Sequence, residues 1–182
     1  LGWGTEDETL TGIFRMLSAY ISTSDGGIFA SAFLGLFGMV LEGLAFFGIY
    51  RMTAPYSQKY AHSLRTGILG YLMFGVCGFH VPTCALVYLT KHGISEELIM
   101  RFAAYFVLPG FVMFWIFFLI LNVTQIKAFA KGMTPCPKLG WIFSLPVGML
   151  IAMLPSVLGN LPLAFGNVWM FGGLLVLMKK EK

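Results

Sequence analysis

Charge is scarce in this chain. Asp, Glu, Lys and Arg make up 11% of its 182 residues, less than half of the roughly 25% usual in a soluble domain. Hydrophobic residues make up 58%, and the two figures together exclude an ordinary soluble protein. Cysteine is also sparse: Cys77, Cys84 and Cys136 are three in number, two in apolar stretches and one in a polar connection. An odd, scattered set is no disulfide framework. The chain has no Gly-rich phosphate loop, no Gly-x-Ser-x-Gly elbow, no His-Glu-x-x-His helix and no acidic cluster for phosphate chemistry. Its polar connections are too short to build a soluble active site, so any enzymatic chemistry would lie within a membrane. Neither a low-complexity tract nor an internal repeat of the kind that marks many transporters is evident.

Long apolar runs are what the sequence has in abundance. Gly27 to Tyr50 holds one carboxylate in 24 otherwise uncharged residues. As a helix it would cover about 36 Å, enough to cross a hydrocarbon core of roughly 30 Å with some tilt. Ser31, Gly35, Gly38, Glu42, Ala45 and Ile49 follow one another at intervals of 4, 3, 4, 3 and 4 positions and share a helix face. This places Glu42 in a seam of small residues that packs on other helices, with Phe33, Leu36, Phe37, Leu44 and Phe47 on the other sides. A carboxylate facing lipid costs about 2.5 to 3.5 kcal/mol on insertion scales, so one inside a span has a partner or a task. The alternative role for Glu42 is hydrogen-bonded packing.

Further spans are expected at about 64–89, 102–126, 139–158 and 161–178. The fold class is therefore all-α: a polytopic transmembrane helical bundle with five visible spans, forming a single integral membrane domain over 1–182. Gly67, Gly70, Gly75 and Gly78 fall on one side of the second span, and Cys77, His80 and Cys84 on the other, so that helix is expected to have protein neighbours on two sides. Kinks are expected at Pro82, Pro109, Pro146 and Pro155, where a missing N–H frees a carbonyl. Ahead of the first span, Thr5 and Glu8 have capping-box spacing, and Leu10, Ile13, Phe14, Leu17 and Ile21 recur at helical intervals. These predict a surface amphipathic helix over about 6–22, ended by Ser22 to Gly27.

Nine of the twelve basic residues fall on one side of this topology: Arg51, Lys59, Arg65, Lys127, Lys131, Lys138, Lys179, Lys180 and Lys182. By the positive-inside rule that side is cytoplasmic, with the visible amino terminus outside and the carboxyl terminus inside. An acidic outer start without an initiator Met is expected to follow either a cleaved signal peptide or an earlier span, and the latter would make six. The net charge of +4 is spread over connections rather than along an aromatic-laced stripe, so nucleic acid is not expected as a partner.

Glu42 and His80 are the ionisable groups, apart from Tyr and Cys, that fall well inside spans. They lie about 12 and 24 Å from the inner edge by helical rise, an offset that Tyr71, Asn167, Ser156 or water could bridge to form a proton or cation path. Cys77, His80 and Cys84 suggest soft-metal ligands. Cys77 and Cys84 stand about 10 Å apart along the axis, however, which is too far to share one ion, so no metal or other cofactor is expected. Cys136, in Thr-Pro-Cys-Pro-Lys, suits a stiff turn, with acylation as the alternative. The leading functional expectation is binding or transport of a small molecule, lipid or proton at a polar pocket around Glu42, with His80, Asn167 and Tyr71 as further candidates. The alternatives are an intramembrane lipid-modifying enzyme using His80 and Glu42, and an accessory subunit. The expected partners are the bilayer, a small-molecule or lipid ligand, and a second copy or other membrane protein on the Gly-rich faces.

Overall fold

The computed structural model describes residues 20–153 and 162–179, and all regular structure among them is helical. Three helices are long and apolar enough to cross a membrane: α1, Asp25–Thr53; α2, Gln58–Lys91; and α3, Glu96–Ala130. A short 3₁₀ turn, Lys138–Ile142, and two shorter helices, α4 (Leu145–Ala152) and α5 (Pro162–Lys179), follow. The expected amphipathic helix over 6–22 falls almost entirely outside the described residues.

The three long helices enclose the first three expected spans and overrun them because their ends are capped by polar residues. Ser24 Oγ accepts the Gly27 N–H at 3.1 Å, and Asp25 sits in the first turn, where both satisfy the exposed donors and positive end of the helix. Ser95 does the same for Leu98 at the start of α3. At their far ends α2 and α3 stop in the same way. Gly93 and Gly132 take φ of 74° and 68°, and the N–H groups of Ile94 and Met133 reach back to Leu89 and Ala128. This closure needs a left-handed residue, which glycine adopts without steric cost.

Proline acts differently from the simple kinks expected. A π-helical stretch, Met73–His80, precedes Pro82, and a second, Ala103–Val107, precedes Pro109. The Val81 N–H bonds Val76 O and the Leu108 N–H bonds Ala103 O, so the wider turn re-pairs the backbone just ahead of each ring. Pro146 instead begins a helix, in the first turn of α4 after an extended Ser144. No intrahelical donor is required there. Accordingly the expected continuous helix from 139 is broken at 143–144, while Pro155 lies outside the described residues.

The chain divides into two compact units, one formed by residues up to Val40 with Leu72–Phe114, the other by Leu41–Tyr71 with the residues from Trp115 onward. In the first unit, a Cβ added at Gly110 would overlap the Gly78 carbonyl, and one at Gly75 would overlap the Met39 side chain. Phe79 packs on Phe111 and Phe114 with ring centroids 5.0 and 6.0 Å apart. Ile28, Leu86, Val87 and Ile99 form a buried cluster. Near it, Lys91 Nζ lies 2.6 Å from Asp25 Oδ1 and donates to Thr23 O. In the second unit, Gly67 places a Cβ position 2.8 Å from Leu121 N, and Gly70 faces the Phe117 ring. Gly148 lies against Gly166 and Trp169, whose indole donates to Ile142 O at 2.9 Å. Gly67, Gly70 and Gly78 thus face α3, while Gly75 meets both Met39 of α1 and Phe114 of α3, so the glycine side has the protein neighbours that its spacing predicts. Phe33, Leu36, Phe37 and Leu44 are exposed along α1, the side expected to meet lipid.

The glycine crossings give a direct expectation. Gly110→Ala forces a methyl into the Gly78 carbonyl and should lower stability by about 1–3 kcal/mol. Gly38→Ala, where no atom lies within 4 Å of the added carbon, should raise it by up to about 1 kcal/mol through helix propensity. Thermal midpoints of the detergent-solubilised variants check both signs.

Candidate functional site

Glu42 opens an inward stripe on α1 that continues through Phe46 and Ile49, which are 0% and 2% exposed. The intervals of four and three residues keep all three on one face. A second stripe on α2 runs through Leu64, Ile68 and Tyr71, each fully buried, and a third on α5 through Asn167, Met170 and Leu174. Where these stripes meet, the Tyr71 hydroxyl donates to Glu42 Oε1 at 3.0 Å, and the Asn167 side chain is within hydrogen-bonding reach of the same carboxyl. Phe46 packs edge-on against Tyr71 and Phe171, with centroids 5.9 and 5.4 Å apart, and Phe118 lies 6.2 Å from the Tyr71 ring. Aromatic rings therefore surround a carboxyl, a phenol and an amide.

This arrangement accommodates either protonation state of the carboxyl. Ionised, Glu42 accepts from Tyr71 and from the Asn167 amide. Neutral, it gains an O–H that needs an acceptor, and Asn167 Oδ1 is buried with no hydrogen-bond partner among the described residues. An Asn side chain supplies both roles from one position.

His80, the fourth candidate, belongs to the other unit. Its Nε2 lies 3.1 Å from Ser31 O and 4.0 Å from Cys84 Sγ. A Cβ added at Gly35 would overlap the imidazole. The seam expected around Glu42 therefore divides: Gly35 makes room for His80, nothing lies within 4 Å of a Cβ position at Gly38 or Gly48, and Ala45 is exposed. Ala45, Gly48 and Ile49 instead edge an apolar groove of about 280 Å³ shared with Phe171 and Leu174. Among the described residues no three His, Cys, Asp or Glu side chains cluster to hold a metal ion. Ser156 lies outside the described residues.

Two buried amides fall within the span expected at 102–126. Asn122 and Gln125 are 2% and 1% exposed, on the α3 face that also buries Phe118, Leu121 and Phe129. Asn122 Nδ2 bonds back to Phe118 O at 2.8 Å, but its Oδ1 and both amide atoms of Gln125 have no partner among the described residues. The signal available in sequence is their spacing: Asn122 stands four residues from Phe118, and Gln125 four from both Leu121 and Phe129.

Residues 1–181 match DUF6796, a family of unknown function. The chain belongs to this family. No curated protein and no solved structure matches it.

The orphaned amide of Gln125 is a local cost. Gln125→Leu, of similar volume, should leave stability unchanged or raise it by up to about 1–3 kcal/mol. Chemical unfolding in detergent reads this out, and a fall would show that the amide is held by a partner in the membrane.

Proposed function

We propose that this protein is a polytopic membrane protein that binds and passes a proton, or a small molecule carrying one, at Glu42. The observation that carries the reading is the hydrogen bond from the buried Tyr71 hydroxyl to the Glu42 carboxyl, with Asn167 in reach. At hydrocarbon depth an ionisable group persists only with partners. Here the partners suit both the loaded and the unloaded carboxyl, which is what a site that takes up and releases a proton requires. The proposed topology adds two crossings after α3, contributed by the regions of α4 and α5, in a single integral domain. The Lys- and Arg-rich connections face the cytoplasm and the Asp25 end of α1 faces outward.

Use of His80 and Glu42 as acid and base on one lipid substrate has weaker support, because each has its own partners: Ser31 and Cys84 for His80, Tyr71 and Asn167 for Glu42.

Proteoliposomes carrying an encapsulated pH-sensitive dye test the proposal. Wild-type protein should dissipate an imposed pH gradient, and Glu42→Gln should abolish this at least tenfold while its thermal midpoint stays within a few degrees. Equal flux from wild type and variant overturns the reading, as does an absence of flux from folded wild type. Tyr71→Phe, which removes only the donor to Glu42, should cost about 0.6–2 kcal/mol of stability and slow flux less than Glu42→Gln does. Tag accessibility of 127–138 checks orientation, and labelling from outside sealed cells would reverse it.

A further inference from the structure

Charge is divided unevenly between the two units. The second holds nine of the twelve Lys and Arg but only two of the eight acids, Glu42 and Glu181. Among the described residues, the Lys and Arg of the first unit are ion-paired, Lys91 with Asp25 and Arg101 with Glu97. Arg51, Lys59, Arg65, Lys127, Lys131 and Lys138 of the second unit join no such pair. The one described acid of that unit, Glu42, is engaged by Tyr71 and Asn167.

Membrane orientation requires only that basic residues lie somewhere in the connections. Here the fold gathers three of them. Lys127 stands in the last turn of α3, and Lys131, four residues on and just past its end, shares that face. Lys131 Nζ lies 5.8 Å from the centre of the Tyr60 ring, so the end of α3 meets the start of α2. Gly132, at φ 68°, then turns the chain, and Lys138 comes back against it, its Cε 3.4 Å from a Cβ position at Gly132. All three lysines are exposed. Like charges four residues apart disfavour a helix. The dipole at the end of α3 supplies roughly half a negative charge, too little to balance three ammonium groups.

The neighbouring side chains identify the layer in which the cluster lies. The 3₁₀ turn that begins at Lys138 exposes Leu139, Trp141 and Ile142. Exposed apolar and indole side chains beside a lysine belong at the boundary between acyl chains and headgroups. A zwitterionic headgroup would bring its own cation to a cluster with no described carboxylate beside it. A phosphate without one meets three donors. We propose that Lys127, Lys131 and Lys138, around Tyr60, bind the headgroup of an anionic phospholipid, with Leu139 and Trp141 against the start of its acyl chains. The site is separate from Glu42 and does not depend on proton transfer there.

Binding is read by fluorescence anisotropy, titrating the protein in nonionic detergent into a phosphatidic acid labelled on its acyl chain. Saturation is expected, with unlabelled phosphatidic acid competing at least tenfold better than phosphatidylcholine or glycerol phosphate. Lys131→Gln/Lys138→Gln should weaken binding at least tenfold. Arg51→Gln/Arg65→Gln, which removes the same charge from exposed positions elsewhere in the unit, should change it less than twofold. Lys138→Gln alone, expected to cost about fivefold, serves if the first double variant does not fold, and thermal midpoints report folding for each. Equal weakening by the two double variants would show diffuse attraction rather than a site and overturn the proposal. Equal competition by glycerol phosphate would make the ligand a soluble phosphate, and equal competition by phosphatidylcholine would show that charge is not selected; either overturns it. So does a failure of folded wild type to saturate.

Discussion

Helices that are apolar on all sides gain little from the hydrophobic effect among themselves in lipid, so their association rests on how closely their backbones approach. In this chain that approach is set by residues without side chains. Gly67 and Gly70 admit Leu121 and Phe117 in one unit, and Gly78 meets Gly110 in the other. A methyl at Gly110 would overlap backbone rather than a flexible side-chain end, so there is little to yield. Gly35 does the same on the opposite face of α2, where the intruding group is the His80 ring. The position of the imidazole follows from that absence of a side chain on α1.

Backbone satisfaction is the second constraint. With no water to bond freed carbonyls, proline within a long apolar helix must be compensated locally. Two prolines here are preceded by π turns that re-pair the chain ahead of the ring, and a third is moved to a helix start. Polar side chains obey the same rule unevenly. Glu42 is satisfied by Tyr71, while both amide atoms of Gln125 find no partner among the described residues.

Much of this was legible in the sequence. Helical periodicity placed the glycine face of α2 against a neighbour, the large apolar residues of α1 toward the exterior, and Tyr71 and Asn167 among the candidates to join Glu42. What was not legible depends on three-dimensional register. Gly35 and Glu42 share a helix face, yet seven residues of rise separate them by about 10 Å, so they serve different neighbours. The π turns leave no pattern in composition, since each merely adds a residue to an otherwise regular run. Asn122 and Gln125 lie in the span expected at 102–126, and their burial is apparent only once the α3 face they share with Phe118 and Leu121 is known. The break at 143–144 follows from Ser144 and Pro146 acting together, a helix start that hydropathy does not register.

The π stretch from Met73 to His80 also bears on how the chain can vary in length. A π turn is an α turn carrying an added residue, and loss of one residue within it would let the segment close as ordinary α-helix without breaking continuity. Because the wider turn absorbs the added residue, its loss would leave the faces on either side of the stretch roughly where they are. Thr83 and Cys84 would keep their bearing toward α1, and the change would fall on residues within the stretch, Gly75, Gly78 and His80 among them. The bulge is thus a place where α2 can change length without turning the face beyond it.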